Sequence, residues 1–269
     1  MITRAAGSFV LVLFVSLACV DAQSTQAPAK PFEPSVGQAG KDVVWVPTPQ
    51  SVVEKMLDLT KVAPQDFVID LGSGDGRTVI AAAKRGARAM GIEYNPDMVE
   101  LSKRNAAAAG VSDKATFVKA DLFETDFSKA TVITMFLLPT INMQLRPKLL
   151  ELKPGTRIAS NSFTMEDWQS DESVTVSDCD TSWCTAHFWV VPAKVEGTWQ
   201  MPEGDLKLTQ KFQMVSGTLG ASPISSGRLR GDQITFTVGG ARYAGRVDGS
   251  VIRGTITGGK GAAWTATRR

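Results

Sequence analysis

A glycine-rich turn follows a short apolar segment of the chain, and acidic residues lie on both sides of the first glycine. Residues 67–71 are apolar apart from Asp70, and Gly72, Gly74 and Gly76 follow at alternate positions. Such an apolar run predicts a buried parallel strand, and glycine lets the backbone turn sharply and approach a ligand closely. A glycine turn after a first strand is typical of a nucleotide-like ligand at the strand's carboxyl end.

The charge of this turn indicates which ligand it binds. The dinucleotide fingerprint requires GxGxxG, whereas this chain has GxGxG with Asp75 inside the turn. A carboxylate at that position would repel a pyrophosphate. Asp70 and Asp75 suit a cationic ligand better, and S-adenosylmethionine (SAM) carries a sulfonium and an ammonium group. The sequence therefore predicts a SAM site, with a turn that holds no ligand as the alternative.

The next two predicted strands each end in an acidic residue. Glu93 lies roughly 20 residues after the first glycine, where an acidic side chain accepts the ribose hydroxyls of a nucleotide. Tyr94 beside it is placed to pack on the adenine. Asp121 ends the third predicted strand, residues 115–120, and is expected to bond the adenine amino group, with Leu122 against the ring.

The fourth predicted strand, residues 130–138, is apolar and is closed by Pro139. Methyltransferases that act on amines often have a polar Asn-Pro-Pro-Tyr segment here, but this chain has Phe136-Leu-Leu-Pro139. An apolar passage suits a lysine side chain, because burial lowers the pKa of its amine and the neutral amine is the attacking form. A simple core position remains the alternative for Phe136.

Six segments together give the chain a resemblance to a known family: VPTP at residues 46–49, DLGSGDGR, GIEYNP, DLF, ATVITMFLLP and LKPGTR. Over residues 43–192 the chain resembles class I SAM-dependent methyltransferases, a group that includes mitochondrial protein-lysine N-methyltransferases of inner-membrane proteins. The resemblance implies an α/β fold, a Rossmann-like seven-stranded sheet with helices on both faces. It also implies methyl transfer to an amine, with lysine of a protein, including a membrane-associated protein, as the favoured acceptor.

The resemblance also assigns roles to single residues. Thr48, Phe136 and Pro139 are expected at the reacting amine, where alignment rather than a general base would supply most of the rate. Trp45 is expected to cap the cofactor or to line the acceptor channel. The expected cofactor-binding residues are Asp70, Gly72, Ser73, Gly74, Asp75, Glu93, Tyr94, Asp121 and Leu122.

A second domain is predicted after the methyltransferase segment, because 269 residues exceed the usual size of one domain. Residues 195–269 alternate short apolar runs with turn signals, which predicts a small antiparallel β-meander, either a barrel or a sandwich. Trp199 and Trp264 are expected to fill its core. Substrate docking, anchoring and stabilisation all remain open as its role.

The first 22 residues resemble an export signal. Arg4 precedes an apolar stretch, residues 9–20, and Val20-Asp-Ala22 is a small-residue cleavage site. We expect cleavage after Ala22 and a periplasmic or secreted protein, with an uncleaved membrane anchor as the alternative. Residues 23–42 are rich in Gln, Ala, Pro, Ser and Gly and predict a flexible linker.

Two cysteines and one histidine fall in the final hairpin of the predicted sheet. Cys179 and Cys184 flank a short turn and are close enough for a disulfide, which would form in an oxidising compartment. They have no second pair nearby, so no metal site is expected. His187, the only histidine of the chain, is expected to be a packed strand residue.

Composition excludes one class of partner and leaves two other functions open. The net charge of +2 and the scattered basic residues give no reason to expect a nucleic-acid partner. An exported, non-catalytic binding protein could reuse the same scaffold. A small-molecule N- or O-methyltransferase would carry the same SAM site.

Overall fold

The computed structural model describes residues 1–3, 7, 32–258 and 262–269. Most of the predicted export signal and residues 23–31 of the predicted linker lie outside these residues. Residues 32–269 form one compact unit. Within the described parts of the chain, every helix is too short or too polar to cross a bilayer.

The first half of this unit is a sheet of seven strands in the order β3-β2-β1-β4-β5-β7-β6. Neighbouring strands from β3 to β5 are parallel, and β7 runs antiparallel to both of its neighbours. The strands are β1 (Phe67–Leu71), β2 (Arg88–Glu93), β3 (Ala115–Lys119), β4 (Val132–Met135), β5 (Arg157–Asn161), β6 (Glu172–Thr175) and β7 (Thr185–Val190). The predicted class I methyltransferase sheet is therefore confirmed.

Four helices cover the two faces of the sheet: α1 (Gln50–Leu59), α2 (Arg77–Lys84), α3 (Pro96–Ala108) and α4 (Pro139–Leu150). Successive residues of β1 serve opposite faces, as the period of a strand requires. Val68 belongs to the apolar cluster that contains residues of α1, α2 and α3. Ile69 and Leu71 belong to the cluster that contains residues of α4. Burial on both faces explains the continuous apolar run of β1.

Strand β4 is shorter than the sequence predicted, and Pro139 plays a different part. The ladder with β1 ends where Leu71 pairs with Met135, so Phe136 leaves the sheet. Pro139 then occupies the first position of α4, after Leu138. A helix start tolerates proline because the first amides of a helix have no partner inside it. The expectation that Pro139 closes the strand is therefore wrong, since it opens the next helix.

The second half of the unit is a closed antiparallel barrel of eight strands, which confirms the predicted β-domain and selects a barrel over a sandwich. Its strands are β8 (Gly197–Met201), β9 (Gly204–Lys211), β10 (Met214–Leu219), β12 (Ser225–Arg230), β13 (Gln233–Val238), β14 (Ala241–Asp248), β15 (Val251–Thr257) and β16 (Ala263–Arg268), with a two-residue β11 (Ser222–Pro223) beside β10. Trp199 and Trp264 are buried in its core, as expected.

The turn between β9 and β10 attaches the barrel to the methyltransferase sheet. Phe212 in this turn stacks on the buried Trp168, with ring centroids 5.9 Å apart. Arg228 of the barrel donates to the buried carboxylate of Asp171 at 2.6 Å. Aromatic stacking and a largely desolvated ion pair both fix orientation, so the barrel is a docked part of this unit.

Candidate cofactor and acceptor site

The carboxyl ends of β1 to β4 meet at one cleft, as expected for an open α/β sheet. Pro139 is the predicted site residue that does not line the cleft. The predicted residues that do line it are Thr48, Asp70, Gly72, Ser73, Gly74, Asp75, Glu93, Tyr94, Asp121, Leu122 and Phe136.

The glycine turn packs tightly against its surroundings. Gly72 and Ser73 both donate their backbone N–H to the carbonyl of Ile92, at 2.9 and 3.0 Å, which attaches the turn to β2. Gly74 has a φ of +54°, and a Cβ built on it would lie 2.7 Å from Trp45 Nε1. A side chain at this position is therefore excluded by backbone conformation and by the indole of Trp45.

Glu93 is held by two backbone amides from different elements. The Gly74 N–H donates to Glu93 Oε2 at 3.0 Å, and the Asn95 N–H donates to Oε1 at 2.9 Å. A carboxylate has about four acceptor positions, so each oxygen keeps capacity for one further donor. The carboxylate is therefore already oriented for the two hydroxyls of a ribose.

Asp70 is buried beneath the turn at the end of β1. Burial raises the pKa of its carboxyl to about 7, the Thr134 hydroxyl opposes this by donating to Oδ1 at 2.6 Å, and the charges of Asp75 and Glu93 raise it further. Burial disfavours an ionised carboxylate unless an opposite charge stands near it. A cationic group in the cleft would supply that charge.

Asp75 does not present a free charge to the cleft, which departs from the sequence reasoning. Arg77 donates to both of its carboxylate oxygens, at 2.6 to 3.1 Å. The same guanidinium donates to the carbonyl of Thr48 at 2.9 Å. Because the ion pair balances its charge, Asp75 connects the glycine turn to the segment before α1 rather than attracting a cation.

Asp121 is paired at the adenine end of the cleft. Its Oδ1 accepts the Phe123 N–H at 2.9 Å, and its Oδ2 accepts Lys41 Nζ at 2.5 Å. The bond from Lys41 lowers the pKa of Asp121. Lys41 Nζ also lies 5.1 Å from the centre of the Tyr94 ring. An adenine amino group would therefore share Asp121 with Lys41 or replace it.

Lys41 belongs to a hairpin that the sequence did not predict. Gly37 donates to the Trp45 carbonyl at 2.8 Å, Trp45 donates to Gln38 at 2.9 Å, and Gly40 donates to Val43 at 3.0 Å. The described part of the expected linker, residues 32–42, therefore includes a hydrogen-bonded turn on the cleft. A composition rich in Gly, Ala and Gln hides this turn, because its bonds are made by the backbone.

Three aromatic rings line the other end of the cleft. The Phe136 and Phe163 rings are stacked 5.9 Å apart, and the Trp183 ring lies 6.0 and 5.2 Å from them. Phe136 was expected here, whereas Phe163 and Trp183 were not. Phe163 follows the carboxyl end of β5, so the rule for parallel strands could have found it. Trp183 is brought here by the β6–β7 loop.

The expected disulfide joins Cys179 and Cys184 in this loop. His187 lies in β7, where its Nδ1 is 2.8 Å from the Ser173 hydroxyl, and its ring packs against Trp189. Burial lowers the pKa of His187. It does not line the cleft, which agrees with a packed strand residue and provides no base for the reaction.

The cleft residues fit SAM. Glu93 offers the oriented acceptor for ribose, and Asp70 is a buried carboxyl that gains from a cation. The buried Ser73 hydroxyl has no hydrogen-bond partner among the described residues, and buried hydroxyls are rarely left so. When bound, SAM supplies a methyl group on a positively charged sulfur, which an amine lone pair displaces while the electrons of the broken C–S bond stay on sulfur.

Comparison with known proteins agrees with this geometry. A family model described as the ANTKMT methyltransferase domain matches residues 70–172. A protein-lysine N-methyltransferase of Saccharolobus islandicus is 46% identical over 139 residues, which are 51% of this chain and 86% of that protein. A lysine N-methyltransferase of Mus musculus that is named for ATP synthase is 37% identical over 52% of this chain, and the match spans 56% of that enzyme.

A solved structure gives the same picture of the cofactor. It is described as an RNA methyltransferase from Salinibacter ruber in complex with S-adenosyl-L-homocysteine (SAH). Its sequence is 46% identical, the TM-score is 0.53, and the match covers 56% of this chain and 96% of that one. SAH is the product that SAM leaves after methyl transfer.

The buried Asp70 carboxyl should make SAM binding depend on pH. Its pKa of about 7 means that the carboxyl is protonated below pH 7 and ionised above it. A cationic ligand prefers the ionised form, so calorimetry should show the SAM association constant rising about tenfold per pH unit below 7 and then levelling off.

Two variants separate this effect from others. Asp70→Asn should remove the pH dependence, because an amide does not titrate. Thr134→Val should move the midpoint to higher pH, because it removes the hydrogen bond that lowers the pKa of Asp70. A pH dependence that survives unchanged in Asp70→Asn would show that another group controls it.

The strand order, the fixed Glu93 carboxylate and the buried Asp70 describe a class I cofactor cleft, and the relatives match the sequence that builds it. The archaeal relative is matched over most of its length at 46% identity. The chain is thus a SAM-dependent methyltransferase and belongs to the protein-lysine N-methyltransferase family.

Proposed function

We propose that this protein transfers the methyl group of SAM to the ε-amine of a lysine side chain in a protein partner. Family membership supports the reaction, and the names of the relatives support lysine as the acceptor. The chain spans little more than half the length of the mouse enzyme, so the particular partner is part of the proposal.

The observation that carries this proposal is the apolar wall between β4 and α4. Phe136, Leu137 and Leu138 line the cleft immediately after the last strand residue, Met135. A nucleobase entering here would bury ring nitrogens and carbonyls that each need a hydrogen-bond partner. A lysine side chain brings an aliphatic stem with a single polar atom, which suits such a wall.

The same wall prepares the amine for reaction. A lysine arrives as an ammonium ion, and an apolar environment lowers the pKa of its amine, so that it loses a proton to water. The hairpin that contains Trp45 and the Phe136 segment limit the directions of approach. Holding the two reacting groups in line then supplies most of the rate enhancement.

RNA is the second candidate acceptor, since the solved relative is described as an RNA methyltransferase. Residues 195–269 contain 10 Lys and Arg against 5 Asp and Glu, a balance that would suit an anionic partner. Residues 43–192, which build the cleft, contain 15 basic against 19 acidic residues. The charge next to the reacting groups therefore favours a cationic acceptor such as lysine.

We further propose that the protein is exported and works in an oxidising compartment. The export-like segment of residues 1–22 and the disulfide between Cys179 and Cys184 support this. In this compartment SAM would have to be supplied from the cytoplasm, where it is made.

The location can be measured in intact cells. A periplasm-sensitive reporter fused to the C-terminus should be active, and rapid alkylation should find both cysteines blocked until a reductant is added. A cytoplasmic reporter signal together with free thiols would contradict export.

The acceptor can be identified with SAM that carries a radioactive methyl group. Soluble and membrane protein fractions should acquire label, and prior chemical dimethylation of their lysines should abolish it because no reactive amine remains. Phe136→Ala should raise the acceptor KM about tenfold by removing an apolar wall while SAM binding is retained. Met214→Ala, at an exposed site on the barrel, is the matched control.

Three outcomes would redirect the proposal. Label that disappears with ribonuclease but not with lysine blocking would establish RNA as the acceptor. Label found only in small molecules would establish the small-molecule alternative. A folded protein that binds SAM but transfers no methyl group would leave a non-catalytic binding protein.

A further inference from the structure

Trp183 lies on a loop whose own packing is slight. Residues 176–184 connect β6 to β7, and most of the residues between the two cysteines are exposed. Trp183 itself is 36% exposed, unusual for so large an apolar side chain. The disulfide from Cys179 to Cys184 closes this part of the loop. The loop therefore depends on the disulfide to keep Trp183 in place.

The two rings that Trp183 meets are held firmly. The Phe163 carbonyl accepts the Ser160 hydroxyl at 2.7 Å and the Asn142 amide at 3.4 Å. Ser162 before it has a φ of +58°, a conformation that costs about 1 kcal/mol or more in a residue other than glycine. Such strain persists only where the surroundings enforce it, so the direction of Phe163 is well determined.

The third ring completes an enclosure open to solvent. All three rings line the same cleft as the glycine turn and Thr48. Aromatic faces attract ammonium groups, and they pack well against the aliphatic stem of lysine. The loop also carries Asp178 and Asp180, whose carboxylates would attract a cationic side chain to this entrance.

We infer that Trp183 is a specificity-determining residue of the acceptor subsite, and that the Cys179–Cys184 disulfide holds it there. The inference rests on the proposed function, since the ligand class it names is the lysine side chain and its methylated forms. Reduction of the disulfide releases Trp183 and weakens acceptor binding. The SAM site, which Glu93 and Asp70 form at a distance from this loop along the sequence, keeps its affinity.

The first test observes Trp183 directly. Protein labelled with 5-fluorotryptophan gives a fluorine resonance for Trp183, which Trp183→Phe identifies by its loss. Nα-acetyl-lysine methylamide should shift this resonance saturably in the SAH complex, and Nα-acetyl-norleucine methylamide, which lacks the amine, should shift it far less. Reduction of the disulfide should abolish the response.

The second test separates acceptor binding from cofactor binding. Trp183→Ala should raise the KM for a lysine-containing protein acceptor about tenfold, whereas Trp183→Phe should retain most of the affinity. The Cys179→Ser, Cys184→Ser double variant should match Trp183→Ala, and reduction should have no further effect on Trp183→Ala. The Kd for SAM should stay within about twofold in every variant.

The outcomes distinguish the two proposals. If lysine methylation persists while the Trp183 resonance is silent and the acceptor KM of Trp183→Ala is unchanged, the assignment of Trp183 is overturned and the proposed function stands. If reduction weakens acceptor binding equally in Trp183→Ala, the disulfide acts through another group. If the wild type methylates no lysine, the proposed function fails and the assignment fails with it.

Discussion

The Glu93 carboxylate connects the glycine turn after β1 to the start of α3 after β2, and the cleft depends on this connection. Two backbone amides, those of Gly74 and Asn95, donate to its two oxygens. A charged acceptor satisfies both amides without a ligand and leaves acceptor capacity directed into the cleft. The orientation needed for cofactor binding is therefore already present in the fold, which reduces the entropy lost on binding.

Around this fixed point, the other acidic residues of the cleft differ in what balances their charge. Arg77 neutralises Asp75, and Lys41 neutralises Asp121. Among the described residues Asp70 has no basic partner of this kind, and burial instead keeps its pKa raised. The negative charge that remains for a cationic ligand is thus concentrated between Asp70 and Glu93, at the carboxyl ends of two adjacent strands. A count of acidic residues in the sequence would have overestimated the number that is available.

The sequence predicted the parts of the site that are local in the chain. The apolar run of β1, the glycine spacing and the acidic residue after β2 locate the cofactor cleft, because parallel strands must end on one edge. Tertiary pairings were not predictable in the same way. Nothing near Asp75 shows that Arg77 will turn back onto it rather than face solvent, and Lys41 reaches Asp121 across 80 positions. Trp183 reaches the Phe136 ring only because the last hairpin folds back beside β5, which is a property of sheet order.

The central claim is that the fixed Glu93 carboxylate forms a working SAM site, and calorimetric titration of SAM into the oxidised protein tests it most directly. The wild type should bind saturably at one site. Glu93→Ala should lose binding, and Glu93→Gln, which keeps one oxygen acceptor, should bind far more weakly than the wild type while both variants remain folded by circular dichroism. Unchanged affinity in a folded Glu93→Ala, or no binding by a folded wild type, would contradict the account.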